Sequence, residues 1–128
     1  MIVGCGIDIE ERERFTKHLV GIHNSEFIKL VYTPNEISNY KSNYQFFIPI
    51  SFCCKEAFFK AIGNSWTTSP VCWHDIELLF NHSQDSKYEI KLSGFANQIY
   101  KDLNCPRILS EYHIDNEKAS FEVILIHE

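Results

Sequence analysis

Two short stretches carry residues that could do chemistry together. Gly6-Ile7-Asp8-Ile9-Glu10 closes an Ile- and Val-containing run, and Lys55-Glu56-Ala57-Phe58-Phe59-Lys60-Ala61-Ile62-Gly63 falls in the strongest helical segment of the chain. In an extended chain residues two apart point to the same side, so Asp8 and Glu10 present two carboxylates on one face. In a helix Glu56 and Lys60 are one turn apart and share a face. Taken singly, each has an ordinary explanation. The first reads as a solvated strand end, the second as a surface ion pair contributing roughly a few tenths of a kcal/mol. Taken together, Asp8, Glu10 and Glu56 offer three hard oxygen donors, which is the chemistry Mg²⁺ selects. Mg²⁺ usually shares its coordination with water and substrate phosphates, and Lys60 adds a point charge that can neutralise a departing phosphate. The set points to phosphoryl-type transfer.

The elements that must position these groups follow from local pattern. Residues 2–9 read as a strand interrupted by Gly4 and Gly6, glycines that mark a bulge or a close backbone approach. The pattern turns charged and helical from Glu10 to about Leu19. Asn24 or Ser25 can cap a short helix carrying Phe27, Ile28, Leu30 and Val31. Thr33-Pro34-Asn35-Glu36 is a capping box with proline in the first turn, opening a helix to about Ser42. Pro49 is expected to open the helix of residues 50–62, with Gly63 as its C-terminal stop. Residues 64–70 read as a loop. His74–Phe80 and Tyr88–Leu92 read as a hairpin around the polar 81–86 stretch. A helix follows Ser93-Gly94 to about Leu103, and strands near 107–112 and 119–126 flank a turn at Asp115-Asn116. Helices are segregated from strands rather than alternating with them, so the fold class expected is α+β, an antiparallel sheet packed against helices in a single compact domain over 1–128.

The bulk properties fit an ordinary globular protein: 128 residues, 45% hydrophobic, 23% charged, with ten Phe, six Tyr and two Trp for one core. The net charge of −5 lacks the basic stripe of a nucleic-acid binder, although Arg12, Arg14 and Lys17 can form one local basic face toward an acidic partner. The five cysteines are unpaired in spacing and read as reduced thiols. Cys72 with His74 makes only half of a zinc site. The start of the chain lacks a signal-peptide pattern, and no run has the length of a membrane span. A cytoplasmic protein with no membrane partner is expected.

The two motifs resemble the signatures of the phosphopantetheinyl transferase superfamily, particularly its short holo-acyl-carrier-protein synthase group. Gly6-Ile7-Asp8-Ile9-Glu10, followed by Glu11-Arg12-Glu13-Arg14-Phe15, is similar to the first signature, and Lys55 to Gly63 matches K-E-A-x-x-K-A-x-G throughout. Tyr32-Thr33-Pro34-Asn35-Glu36 resembles the group's F-T-x-x-E helix start. The resemblance implies transfer of the 4′-phosphopantetheine arm of coenzyme A, the co-substrate, to a serine of an acyl carrier protein, with Mg²⁺ as cofactor and 3′,5′-ADP released. It implies a half-barrel-like α+β unit that assembles as a homotrimer with active sites between neighbours.

By the same resemblance Asp8 and Glu56 are metal ligands, and Glu10 matches an acidic position of the longer members. Lys60 contacts the pyrophosphate and assists the leaving group, and Glu56 or a metal-bound water helps deprotonate the serine. Gly63 and His113 contribute to coenzyme binding, while Arg14 and Lys17 meet the acidic carrier. Three places depart from the pattern. Ser51 stands where the group has an arginine that holds the coenzyme's nucleotide end. Gly63-Asn64-Ser65 replaces G-T-G. Ser110-Glu111-Tyr112-His113 keeps only the ends of S-I-S-H. His18, His23, His74, His82 and His127 receive no role. A relative that binds carrier or coenzyme without transfer is the alternative.

Overall fold

Gly4 and Gly6 decide how the two motifs meet. A Cβ on Gly4 would stand 2.0 Å from the Ala61 carbonyl oxygen, and one on Gly6 the same distance from that of Ala57. Only glycine lets a helix backbone lie this close to a strand. Two residues of strand thus match four residues of helix, and the two run antiparallel. The computed structural model that provides this geometry describes residues 1–63, 70–84 and 87–128. The expected 64–70 loop and 81–86 turn lie partly outside the described residues.

Strand β1 (Ile2–Glu11) pairs antiparallel with β5 (Lys118–Ile126), which pairs antiparallel with β4 (Arg107–Ile114), giving the order β1-β5-β4. A separate hairpin joins β2 (Ile76–Phe80) and β3 (Tyr88–Leu92). Helices α1 (Glu13–Leu19), α2 (Glu26–Val31), α3 (Pro34–Tyr40) and α4 (Tyr44–Ala61) precede the hairpin, and α5 (Gly94–Asp102) follows it. The α+β arrangement expected from the sequence is what the chain adopts. Helix α4 runs between the sheet and the hairpin, with Ala57, Phe58, Phe121, Val123, Leu125, Ile76 and Leu78 buried around it.

The opposite face of the sheet is open. Register aligns Cys5 with Ile124 and Leu109, and Ile9 with Ser120 and His113. Ile2, Ile7, Ile9 and Leu109 are exposed there, an apolar strip on an uncovered sheet face.

Three expected boundaries are corrected. The helix expected from Glu10 starts at Glu13, because Glu10 and Glu11 are held in the sheet opposite Ala119 and Lys118. The strand expected from His74 starts at Ile76, after a 3₁₀ turn over Trp73–Asp75 in which Asp75 accepts from the Cys72 N–H at 3.1 Å. Pro49 does not open α4 but lies inside it. The helix begins a turn earlier, where Asn43 accepts from the Phe46 N–H at 3.2 Å. Proline has no N–H to give the carbonyl four residues back, that of Gln45. Arg12 Nη2 donates to that carbonyl at 3.0 Å instead, so a side chain from the start of α1 serves the proline-interrupted turn. Of the two expected caps for α2, Ser25 takes the role, accepting from the Ile28 N–H, and Thr33 and Glu36 form the expected capping box.

Candidate active site

Asp8 is 9% exposed and faces α4 from β1. Its Oδ1 lies 3.4 Å from Lys60 Nζ, which also donates to the Ile7 carbonyl at 2.9 Å. Its Oδ2 is buried without a hydrogen-bond partner among the described residues. A buried anionic oxygen lacking a donor is costly unless a cation completes it.

Glu10 shares the Asp8 face, as the strand period requires. Burial raises its pKa above the usual carboxylate range. The neighbouring Asp8 carboxylate pushes the same way, and Arg14 opposes it. Arg14 Nη1 lies 2.6 Å from Glu10 Oε1, with its guanidinium 4.6 Å over the Phe52 ring. Cation and carboxylate thus follow one another as Lys60, Asp8, Glu10, Arg14 along the β1–α4 seam, with the two acids adjacent at its centre.

Glu56 is half-buried on α4, one turn before the exposed Lys60. Among the described residues no three His, Cys, Asp or Glu side chains gather closely enough to hold one ion. Asp8, Glu10 and Glu56, expected from the sequence as three metal donors, do not close into a three-carboxylate cluster here. Gly63, at φ +76° just past α4, is exposed. Asn64 and Ser65 lie outside the described residues.

His113 is not brought to this seam. It lies on the sheet face opposite α4, exposed, 3.6 Å from Glu111. Arg14 and Lys17 are both exposed on α1, whereas Arg12 is occupied by the Asp115 and Gln45 carbonyls at 2.6 and 3.0 Å. Ser51 is wholly buried within a polar cluster around Glu36. A residue at this position faces the interior here, not an open coenzyme groove.

Sequence reasoning missed that cluster. Glu36, read as a capping residue, is 0% exposed, and so is Lys55. Glu36 Oε1 accepts from Lys55 Nζ at 2.8 Å and from the Thr33 N–H at 3.0 Å. Its Oε2 accepts from the Leu78 N–H at 3.0 Å and lies 3.0 and 3.2 Å from the Tyr40 and Ser51 hydroxyls. The signal was available: Ser51, Cys54, Lys55 and Phe58 fall at i, i+3, i+4 and i+7, the spacing of a buried helix face.

Comparison with known proteins gives the same picture. Residues 4–117 match the 4′-phosphopantetheinyl transferase superfamily. A holo-[acyl-carrier-protein] synthase of Geotalea daltonii is 30% identical over 128 residues, covering 98% of both chains. One from Solibacter usitatus is 39% identical over 110 residues, covering 84% of this chain and 85% of its own. Among solved structures, the holo-[acyl-carrier-protein] synthase of Neisseria meningitidis superposes with a TM-score of 0.81 at 20% identity, covering 99% of this chain and 100% of that one. The Bacillus anthracis enzyme, solved in complex with CoA (3′,5′-ADP), gives 0.73 at 27% identity over 98% and 96%. With both motifs inside the matched span and the fold shared along nearly its whole length, this chain belongs to the 4′-phosphopantetheinyl transferase superfamily.

Proposed function

We propose that this chain transfers the 4′-phosphopantetheine arm of coenzyme A to the serine hydroxyl of an acyl carrier protein in the cytoplasm, as a Mg²⁺-dependent homotrimer of single-domain subunits. The observation that carries the reading is Asp8 Oδ2, an anionic oxygen buried and unpartnered among the described residues beside an ammonium that is 50% exposed. That donor set fits a hard divalent cation. Asp8 and Glu56 would hold Mg²⁺, with Glu10 adjacent, and the bound ion would neutralise charge on the coenzyme's diphosphate.

The chain's own residues do the rest. Glu56 accepts the serine proton as the serine oxygen bonds to the β-phosphorus. The bond from that phosphorus to the bridging oxygen breaks, and 3′,5′-ADP departs with the bond's electron pair. Lys60 can exchange Asp8 for the diphosphate and balance the charge growing on the leaving oxygen. The Gly63 backbone has room for close phosphate approach. Arg14, held out by Glu10 and Phe52, and Lys17 meet the acidic carrier. The open sheet face packs against neighbouring copies, which would bring His113 of one copy to the coenzyme bound by another.

Incubation with coenzyme A, Mg²⁺ and an apo-acyl carrier protein tests this by mass spectrometry. A gain of one phosphopantetheine arm supports transfer, and its loss in Asp8→Ala assigns the site. The burial of Ser51, where the group has a coenzyme-holding arginine, favours a second reading, binding without transfer. Carrier or coenzyme binding with no mass gain would establish that reading instead.

A further inference from the structure

We infer that the buried Lys55–Glu36 pair is a positioning device for the reaction: it fixes the roll of α4 and so aims Glu56 and Lys60. The inference rests on the transfer reading above. Lys55 Nζ donates to Glu36 Oε1 at 2.8 Å, to the Trp73 carbonyl at 3.1 Å and to the Ile76 carbonyl. These acceptors belong to three different places: α3, the 3₁₀ turn and the start of β2. Three donor sites on one ammonium are thereby matched by three acceptors with fixed positions. Glu36 is itself fixed by the Thr33 and Leu78 N–H groups at 3.0 Å each.

On the sheet side of α4 the directional contacts come from Lys60, which donates to the Ile7 carbonyl at 2.9 Å, and Cys53, whose thiol lies 3.4 Å from the Ala119 carbonyl. Gly4 and Gly6 let β1 approach the Ala61 and Ala57 carbonyls closely, which sets the distance between strand and helix. The Lys60 side chain that makes one of the directional contacts is half exposed, and the thiol donor is a weak one, so they restrain the roll of α4 only loosely. The buried Lys55 ammonium, with three fixed acceptors, supplies the firm angular restraint. Lys55 and Glu56 are consecutive, so their side chains leave the helix about 100° apart, and any roll at one is carried to the other. With side-chain tips roughly 5–6 Å from the axis, a roll of about 10° displaces the Glu56 carboxylate by about 1 Å. A misplacement of about 1 Å can cost about a hundredfold in rate.

Stability alone does not account for the pair. A buried ion pair often about breaks even against apolar residues of the same volume, whereas removing one partner strands the other. Here the pair joins a residue in the first turn of α3 to the residue preceding Glu56, and it also holds the turn at Trp73 that follows the segment after Gly63.

The test compares the parent with Lys55→Met/Glu36→Gln, which removes both charges while the new amide oxygen keeps the capping box. Circular dichroism and thermal unfolding report folding, and steady-state transfer to an apo-acyl carrier protein gives kcat and KM for coenzyme A. Hydrogen exchange of peptides from residues 52–62 reports α4 directly. The expected result is a folded variant with kcat lower by about 10- to 100-fold, KM within about threefold of the parent, and faster exchange in α4 but not in β5. A folded variant with parental kcat and parental exchange overturns the inference. If the double variant unfolds, Glu36→Asp retains both charges and draws Lys55 by one methylene. It should lower kcat at an unfolding midpoint close to the parent's, and parental kcat in it likewise overturns the inference. A parent that transfers nothing defeats the transferase reading alone, and hydrogen exchange then still decides whether the pair restrains α4.

Discussion

Asp8 and Lys60, 52 positions apart in sequence, meet with 3.4 Å between Oδ1 and Nζ. The contact is half open on the lysine side, so it contributes little to stability. Its value lies in the other Asp8 oxygen, which the fold buries and leaves without a donor among the described residues. Asp8→Asn should therefore raise the thermal unfolding midpoint in metal-free buffer while lowering transfer by at least about a hundredfold. Added Mg²⁺ should raise the midpoint of the parent and leave that of Asp8→Asn unchanged. Parallel calorimetric scans check both. Equal responses to Mg²⁺ would remove Asp8 from the metal site.

Gly6→Ala should destabilise the fold by about 2–3 kcal/mol or more, because the new methyl meets the Ala57 backbone carbonyl at 2.0 Å and neither side can yield cheaply. Gly21→Ala, with nothing within 4 Å of its Cβ, is the control and should be stable within about 0.5 kcal/mol. Urea unfolding of the pair distinguishes close approach from a general cost of losing glycine.

Glu10 sets a pH dependence of definite sign. Its folded pKa lies above the ordinary 4.5, chiefly through burial and then through Asp8. The folded state binds the proton more tightly than the unfolded chain, so stability from this group is full below the ordinary value. It is lost as pH rises through the raised one. Glu10→Gln should abolish that loss. The gap between variant and parent stabilities should widen in the variant's favour from pH 4.5 upward and then level off. Denaturant melts in metal-free buffer across the acid range measure it.

Thiol labelling reads both the core and the assembly. Cys53 and Cys54 are buried, and burial pushes both thiols well above the ordinary range, so alkylation under native conditions should spare them. Cys72 and Cys105 are exposed and should react. Cys5 lies on the open sheet face opposite Ile124. On the homotrimer proposed above, it should be protected at high protein concentration and become reactive on dilution. Peptide mass mapping separates the sites. Cys5 labelling that is fast at every concentration places that face outside any interface.

The legible parts of this chain are those whose causes are local. The Thr33–Glu36 capping box and the apolar runs of β1, β4 and β5 depend on neighbours a few positions away, and the structure has the box as expected and each strand within about two residues of its expected ends. Pro49 misled because the rule that places proline at the start of a helix is local, while the remedy that lets it sit inside one is Arg12, 33 positions from Gln45. Lys55 misled for a similar reason. It belongs to a charged motif, and its burial depends on acceptors in α3, the 3₁₀ turn and β2. The sharing of a face by Asp8 and Glu10 followed from strand period alone. Whether Glu56 approaches them depends on the exact placement of α4, which periodicity does not contain.

The order β1-β5-β4 has a consequence for biosynthesis. The strand bearing Asp8 is made first, yet the strand it pairs with is the last of the fold, Lys118–Ile126. While the nascent chain is still emerging from the ribosome, β1 has no hydrogen-bonded neighbour, and its exposed backbone must wait for nearly all of this sequence to be translated. The β1–β5 pairing thus forms only after Lys118–Ile126 has been made, and a stalled or prematurely terminated product presents an unpaired, isoleucine-rich strand edge for quality control to recognise.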